Sequence, residues 1–98
     1  MNVLFVCDRG IGSIAEQLFK GKFNVRSAVL HTLDLRDLLT EDTFSWANIV
    51  YVESSKQMEE IEKRFPKIYK HKKIVSLDLP RDYDPHGLAE ILRSKIKL

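Results

Sequence analysis

Four apolar residues in a row, Val3-Leu4-Phe5-Val6, end on the chain's single cysteine, Cys7, and two glycines follow at positions 10 and 12. A run this apolar, mostly β-branched or aromatic, suits an interior parallel strand covered on both faces. Ile14, Leu18, Phe19 and Phe23 then recur at helical spacing. The chain is therefore constrained to begin as strand, turn and helix. Gly10 and Gly12 are expected to let the backbone turn sharply and aim its N–H groups inward. A helix starting near Ser13 would point its unpaired N–H groups and positive dipole end at the same spot. This pattern predicts an anion site built from Asp8, Arg9, Gly10, Ile11, Gly12 and Ser13, with a Cys7 thiol whose pKa is lowered by the same field. The plainer reading is an inert, buried cysteine at a strand end.

Further along, Val25 to Leu30 is expected as a second strand and Asn48 to Glu53, rich in β-branched residues, as a third interior one. Between them Thr40-Glu41-Asp42-Thr43 has the composition of a helix start, and Leu33, Leu35, Leu38 and Leu39 suggest packing. Ser54 with Gln57 three residues on has capping-box spacing ahead of Met58, Ile61 and Phe65. Pro66 should bend or end that helix, and Lys72 to Leu77 supplies a fourth strand. A loop from Asp78 to Gly87 leads to a last helix with Leu88, Ile91, Leu92 and Ile96 on one face. Strands alternating with helices imply βαβ units, a parallel sheet with helices on both sides, and one α/β domain over residues 1–98. Ligands of such sheets sit at the carboxyl ends of the strands, where Cys7 and the 78–87 loop can share a pocket.

Composition narrows the class. Apolar residues at 44% and charged residues at 31% describe an ordinary globular chain, and no segment approaches the length of a membrane span. The first residues lack the basic-then-apolar pattern of a secretory signal. A lone cysteine fits a reducing cytoplasm and excludes both an internal thiol relay and a cysteine-rich zinc site. The small positive charge, +2, gathers in Lys63, Arg64, Lys67, Lys70, Lys72 and Lys73. With few aromatics interleaved, that cluster reads as a solvated helix face rather than a nucleic-acid surface. His31, His71 and His86 have no ligand spacing, so neither a metal nor another cofactor is expected.

The chain resembles the low-molecular-weight protein tyrosine phosphatase family, in particular its short prokaryotic branch of about a hundred residues. The likeness rests on Val3 to Cys7, Ala15-Glu16-Gln17-Leu18-Phe19, Trp46 to Val52, and Ile74 to Tyr83 followed by Asp84-Pro85. It implies a four-stranded parallel sheet of order 2-1-3-4 with helices on both faces. It also implies hydrolysis of a phosphorylated protein or small aryl phosphate through a cysteinyl-phosphate. Cys7 would be the nucleophile, Asp84 (or Asp82) the general acid, and the loop after Cys7 would hold phosphate or sulfate.

One departure matters. The family places an arginine six positions after the cysteine; here that position is Ser13, and the Ser-Pro pair that usually follows is missing before Ile14. Losing a bidentate donor to the transferring phosphoryl group costs about 3 kcal/mol or more, on the scale of a deleted oxyanion donor, which is at least about a hundredfold in rate. Arg9 and Arg81 are the guanidiniums placed to substitute. The loop pattern Cys7-x-x-Gly10-x-Gly12-Ser13 is similar instead to the phosphocysteine loop of enzyme IIB components of sugar phosphotransferase systems, a likeness confined to about the first fifteen residues. Three functions follow: a cysteine-dependent phosphatase, a catalytically impaired anion- or phosphoprotein-binding module, and a phosphocysteine carrier. The Asp84-Pro85 pair also reads simply as a helix start.

Overall fold

The computed structural model describes residues 1–80 and 82–97. Its elements run β1 (Asn2–Val6), α1 (Arg9–Phe19), β2 (Asn24–Ala28), α2 (Glu41–Trp46), β3 (Ile49–Val52), α3 (Ser55–Arg64), α4 (Pro66–Tyr69), β4 (Lys73–Ser76) and α5 (Pro85–Lys95). The four strands form one parallel sheet of order β2-β1-β3-β4. Each strand is joined to a parallel neighbour, so every connection must cross over the sheet, and the helices cover both of its faces.

Alternation along the central strands divides the core in two. Val3, Phe5 and Cys7 of the first strand and its end face one way with Ile49 and Tyr51, packed under α1 and α5 through Ile11, Ala15, Phe19, Leu88, Leu92 and Ile96. Leu4, Val6, Val50 and Val52 face the other way, against Phe44, Ala47 and Ile61 from the α2 and α3 side. Phe5 is wholly buried and stacks between Phe19, at 6.1 Å, and Tyr51, at 5.4 Å. Both faces of β1 and β3 are covered, as their unbroken apolar runs required.

The helix ends explain much of the connectivity. At the start of α3, Gln57 Oε1 accepts hydrogen bonds from the N–H of Ser54 (3.3 Å) and of Glu53 (2.6 Å). Pro66 stops α3 after Arg64 and opens α4 at its first position, where its missing N–H is harmless. Thr40 caps α2 through Thr43 N–H, at 3.2 Å.

Two expectations are corrected. Helix α1 does not begin near Ser13 but at Arg9, one residue past Asp8, whose carboxylate caps it by accepting from Gly10 N–H at 3.1 Å. Asp is among the best N-caps, and it comes first along the chain. Gly10 and Gly12 are thus helical rather than turn residues. Gly12 serves packing: a Cβ there would lie 2.7 Å from Ser27 Cβ, so its bare backbone lets α1 rest directly on β2. Leu33 and Leu35 do not pack. They stand in solvent, 102% and 75% exposed, on a segment held at its base, where Val29 N–H donates to the Asp37 carbonyl and Leu39 N–H to the Val29 carbonyl.

Candidate functional site

Parallel pairing puts the carboxyl ends of β1 and β3 side by side, with Val6 opposite Val52. The next residues along are Cys7 and Glu53. Cys7 is 3% exposed, and its N–H donates to Ala28 at the end of β2 (3.1 Å). The N–H of Asp8, the first amide past the cysteine, donates to Glu53 Oε1 at 2.5 Å. Glu53 is itself held on both sides, its N–H by Gln57 and its carbonyl by Leu79 N–H at 3.1 Å. Two amides of the expected oxyanion cradle, those of Asp8 and Gly10, therefore already serve carboxylates of the chain. Gly12 N–H donates to the Asp8 carbonyl at 3.0 Å as an ordinary helical bond.

The electrostatics run opposite to the expectation for the thiol. Burial first, then the carboxylates of Glu53, Asp8 and Glu16, push Cys7 far above the ordinary thiol value of 9.0. A thiolate here would be poorly solvated and ringed by like charge. The predicted electropositive, ionised Cys7 is thus corrected to a protonated one.

A cavity of about 400 Å³ opens beside the cysteine at the ends of β1 and β2. Its walls carry Cys7, Asp8, Ser13, Glu16, Ser27 and Thr43, with Arg26 and Arg36 also lining it. The Arg26 guanidinium lies over the Trp46 ring, 4.2 Å from its centre, which orients the planar group by stacking. Arg36 is paired with Asp34 through two bonds at 2.9 and 3.0 Å. Of the predicted site residues, Cys7, Asp8 and Ser13 thus meet in one cavity. Ile11 is 1% exposed and belongs to the core. Arg9 opens α1, but its side chain and all of Arg81 lie outside the described residues, so the two proposed substitute guanidiniums are not placed.

Asp82 and Asp84 line a separate, shallow depression with Tyr83, Gly87 and Ile91. Asp84 is the N-cap of α5, accepting from Gly87 N–H at 2.6 Å. Burial first, then the carboxylates of Asp8 and Glu53, raise the phenol of Tyr83 between them above the ordinary range. The loop is entered through Asp78, at φ 49°, a left-handed conformation that Asp tolerates and that the Ser76 hydroxyl braces by a 2.7 Å bond to the Asp78 carboxylate.

Glu53, Glu16, Arg26 and Arg36 escaped the sequence reading. Glu53 was accessible in principle, being the first residue after an interior strand that the order 2-1-3-4 sets beside the cysteine strand. The basic cluster near residue 70 is partly internal: Lys72 Nζ donates to the carbonyls of Ser45 (2.8 Å) and Ala47, and Arg64 to that of Leu30 (2.8 Å). Among the described residues, no three His, Cys, Asp or Glu side chains are grouped to hold a metal ion, and no helix is long and apolar enough to cross a membrane.

A parallel sheet of order 2-1-3-4, with helices on both faces and a cysteine ending the first strand, is the low-molecular-weight phosphatase-like fold. Among solved structures, the chain is similar to a cysteine-to-serine mutant of YwlE arginine phosphatase with a phosphorylated active-site serine (TM-score 0.65, 18% identity, covering 95% of this chain and 91% of that one). It is similar also to the YwlE arginine phosphatase of Geobacillus stearothermophilus (TM-score 0.60, 15% identity, 95% and 84% covered). A protein tyrosine phosphatase of Entamoeba histolytica with Hepes in its active site matches as well (TM-score 0.65, 15% identity, 94% and 89% covered). No protein-family model and no curated sequence matches the chain.

Proposed function

We propose that this chain is a phosphatase-fold protein of the cytoplasm that binds phosphorylated ligands without hydrolysing them. The observation that carries the reading is the start of α1 at Arg9. Residues 9–12 are the first turn of the helix, so they do not wrap their amides around an oxyanion, and Ser13 stands just beyond that turn. A protonated Cys7 beside three carboxylates is a poor nucleophile toward a phosphate dianion. Arg26 and Arg36, with the hydroxyls of Ser13, Ser27 and Thr43, supply donors for a phosphoryl group, or for free phosphate or sulfate, elsewhere in the same cavity. The ligand is then held out of line with the sulfur, giving affinity without turnover.

The test pairs turnover with binding. Hydrolysis of p-nitrophenyl phosphate by the wild type is expected not to exceed that of Cys7→Ser, while a phosphotyrosine peptide binds both proteins equally and Arg26→Ala more weakly. A burst of phenol release confined to the protein with Cys7 overturns the reading. It would favour the second one, hydrolysis with Cys7 as nucleophile and Asp84 or Asp82 as acid, which the likeness to solved phosphatases supports. The carrier reading predicts a one-phosphoryl mass increase on Cys7 from a phosphotransferase mixture. The same carboxylates oppose it, since a phosphocysteine would add a dianion among them.

A further inference from the structure

We propose that Glu53 is the resident anion of this site: its carboxylate occupies the Asp8 amide beside Cys7 and thereby keeps external oxyanions off the first amide past the cysteine. This inference deepens the binding function above and rests on phosphorylated ligands binding in the neighbourhood of Cys7.

The contact joins residues 45 apart in sequence, and three independent restraints aim it. Register places Glu53 next to Cys7 across the β1–β3 pair. Gln57 from α3 and Leu79 from the loop after β4 fix its backbone on either side. The amide it takes is the one between the nucleophile position and the N-cap of α1, at the positive end of an eleven-residue helix. A carboxylate there satisfies an N–H that would otherwise need an outside acceptor, and it does so at no cost in bringing two molecules together. An incoming phosphate or sulfate must displace it and then sit beside its displaced charge. Glu16 lines the cavity and, like Glu53, raises the Cys7 pKa, yet it makes no bond to the Asp8 amide. The two acidic residues therefore separate occupancy from general repulsion.

The experiment titrates inorganic phosphate into wild type, Glu53→Gln, Glu53→Ala and Glu16→Gln, followed by amide chemical shifts of Asp8 and Gly10, with iodoacetamide labelling of Cys7 in parallel. Glu53→Ala is expected to bind phosphate about tenfold or more tighter than wild type, the scale of a charge-assisted hydrogen bond. Its largest shift should fall at Asp8, and Cys7 should label faster. Glu53→Gln keeps an acceptor oxygen of the same shape and serves should the alanine variant unfold. It is expected to gain affinity too, by more than Glu16→Gln. An equal gain in Glu53→Gln and Glu16→Gln, or no gain in a folded Glu53 variant, overturns the proposal. Phosphate that tightens without perturbing Asp8 overturns it as well. The turnover of the wild type is a separate measurement, so failure of the binding function and failure of the Glu53 assignment are distinguishable.

Discussion

A thiol that is 3% exposed and faces Glu53, Asp8 and Glu16 holds its proton far above pH 9.0 in the folded chain, whereas in the unfolded chain it gives it up near that value. Below pH 9.0 both states keep the proton and Cys7 contributes no slope. Above it the unfolded state has fewer protons bound than the native one, so stability falls as pH rises, approaching about 1.4 kcal/mol per pH unit. Urea midpoints at about pH 8 and about pH 10 should therefore diverge more in wild type than in Cys7→Ala. Identical losses in the two proteins would show that the thiol ionises normally. Gly12 makes a second prediction at this scale. Gly12→Ala puts a methyl 2.7 Å from Ser27 Cβ and is expected to destabilise by about 1–3 kcal/mol, with Ser27→Gly restoring part of the loss in the double variant. Additive effects would show that α1 does not rest on β2 there.

Helix starts decided what could be read ahead of the structure. Asp84-Pro85 looked like a cap and a first-turn proline, and it is one. Asp84→Ala should lower the melting temperature by about 4–8 °C, the equivalent of about 1 kcal/mol, while Asp84→Asn, a comparable cap without an acid, should melt like wild type. If both variants melt alike, the cap contributes little. Asp8 was not legible in the same way, because two glycines within four residues argue for a turn until the sheet is present to receive Gly12. Glu53 was hidden for a different reason. The order 2-1-3-4 sets it beside the cysteine strand, yet nothing in its own segment says that its carboxylate takes the Asp8 amide.

For the molecule as a whole, binary patterning was enough. The unbroken runs of β1 and β3, and the helices spaced between strands, specified a parallel sheet covered twice, and the strand order came with the family resemblance. The exposed Leu33 and Leu35 show where patterning misleads, since leucines crowded into a segment with no period gave no face to bury. Phe5 links α1, β1 and β3 through stacked rings, so Phe5→Ala should cost about 3–5 kcal/mol, a large part of the stability of a domain this size. A melt shifted by less than a surface substitution would contradict that account of the core. The early entry into α1 carries a last consequence. Ser13→Arg would put a guanidinium at the cavity wall but leave residues 9–13 helical, so on the proposed binding function it is expected to bring no hydrolysis of p-nitrophenyl phosphate. Side-chain exchange cannot lengthen a backbone: amides that encircle an oxyanion would take inserted residues between Cys7 and the helix, which point mutation alone does not provide.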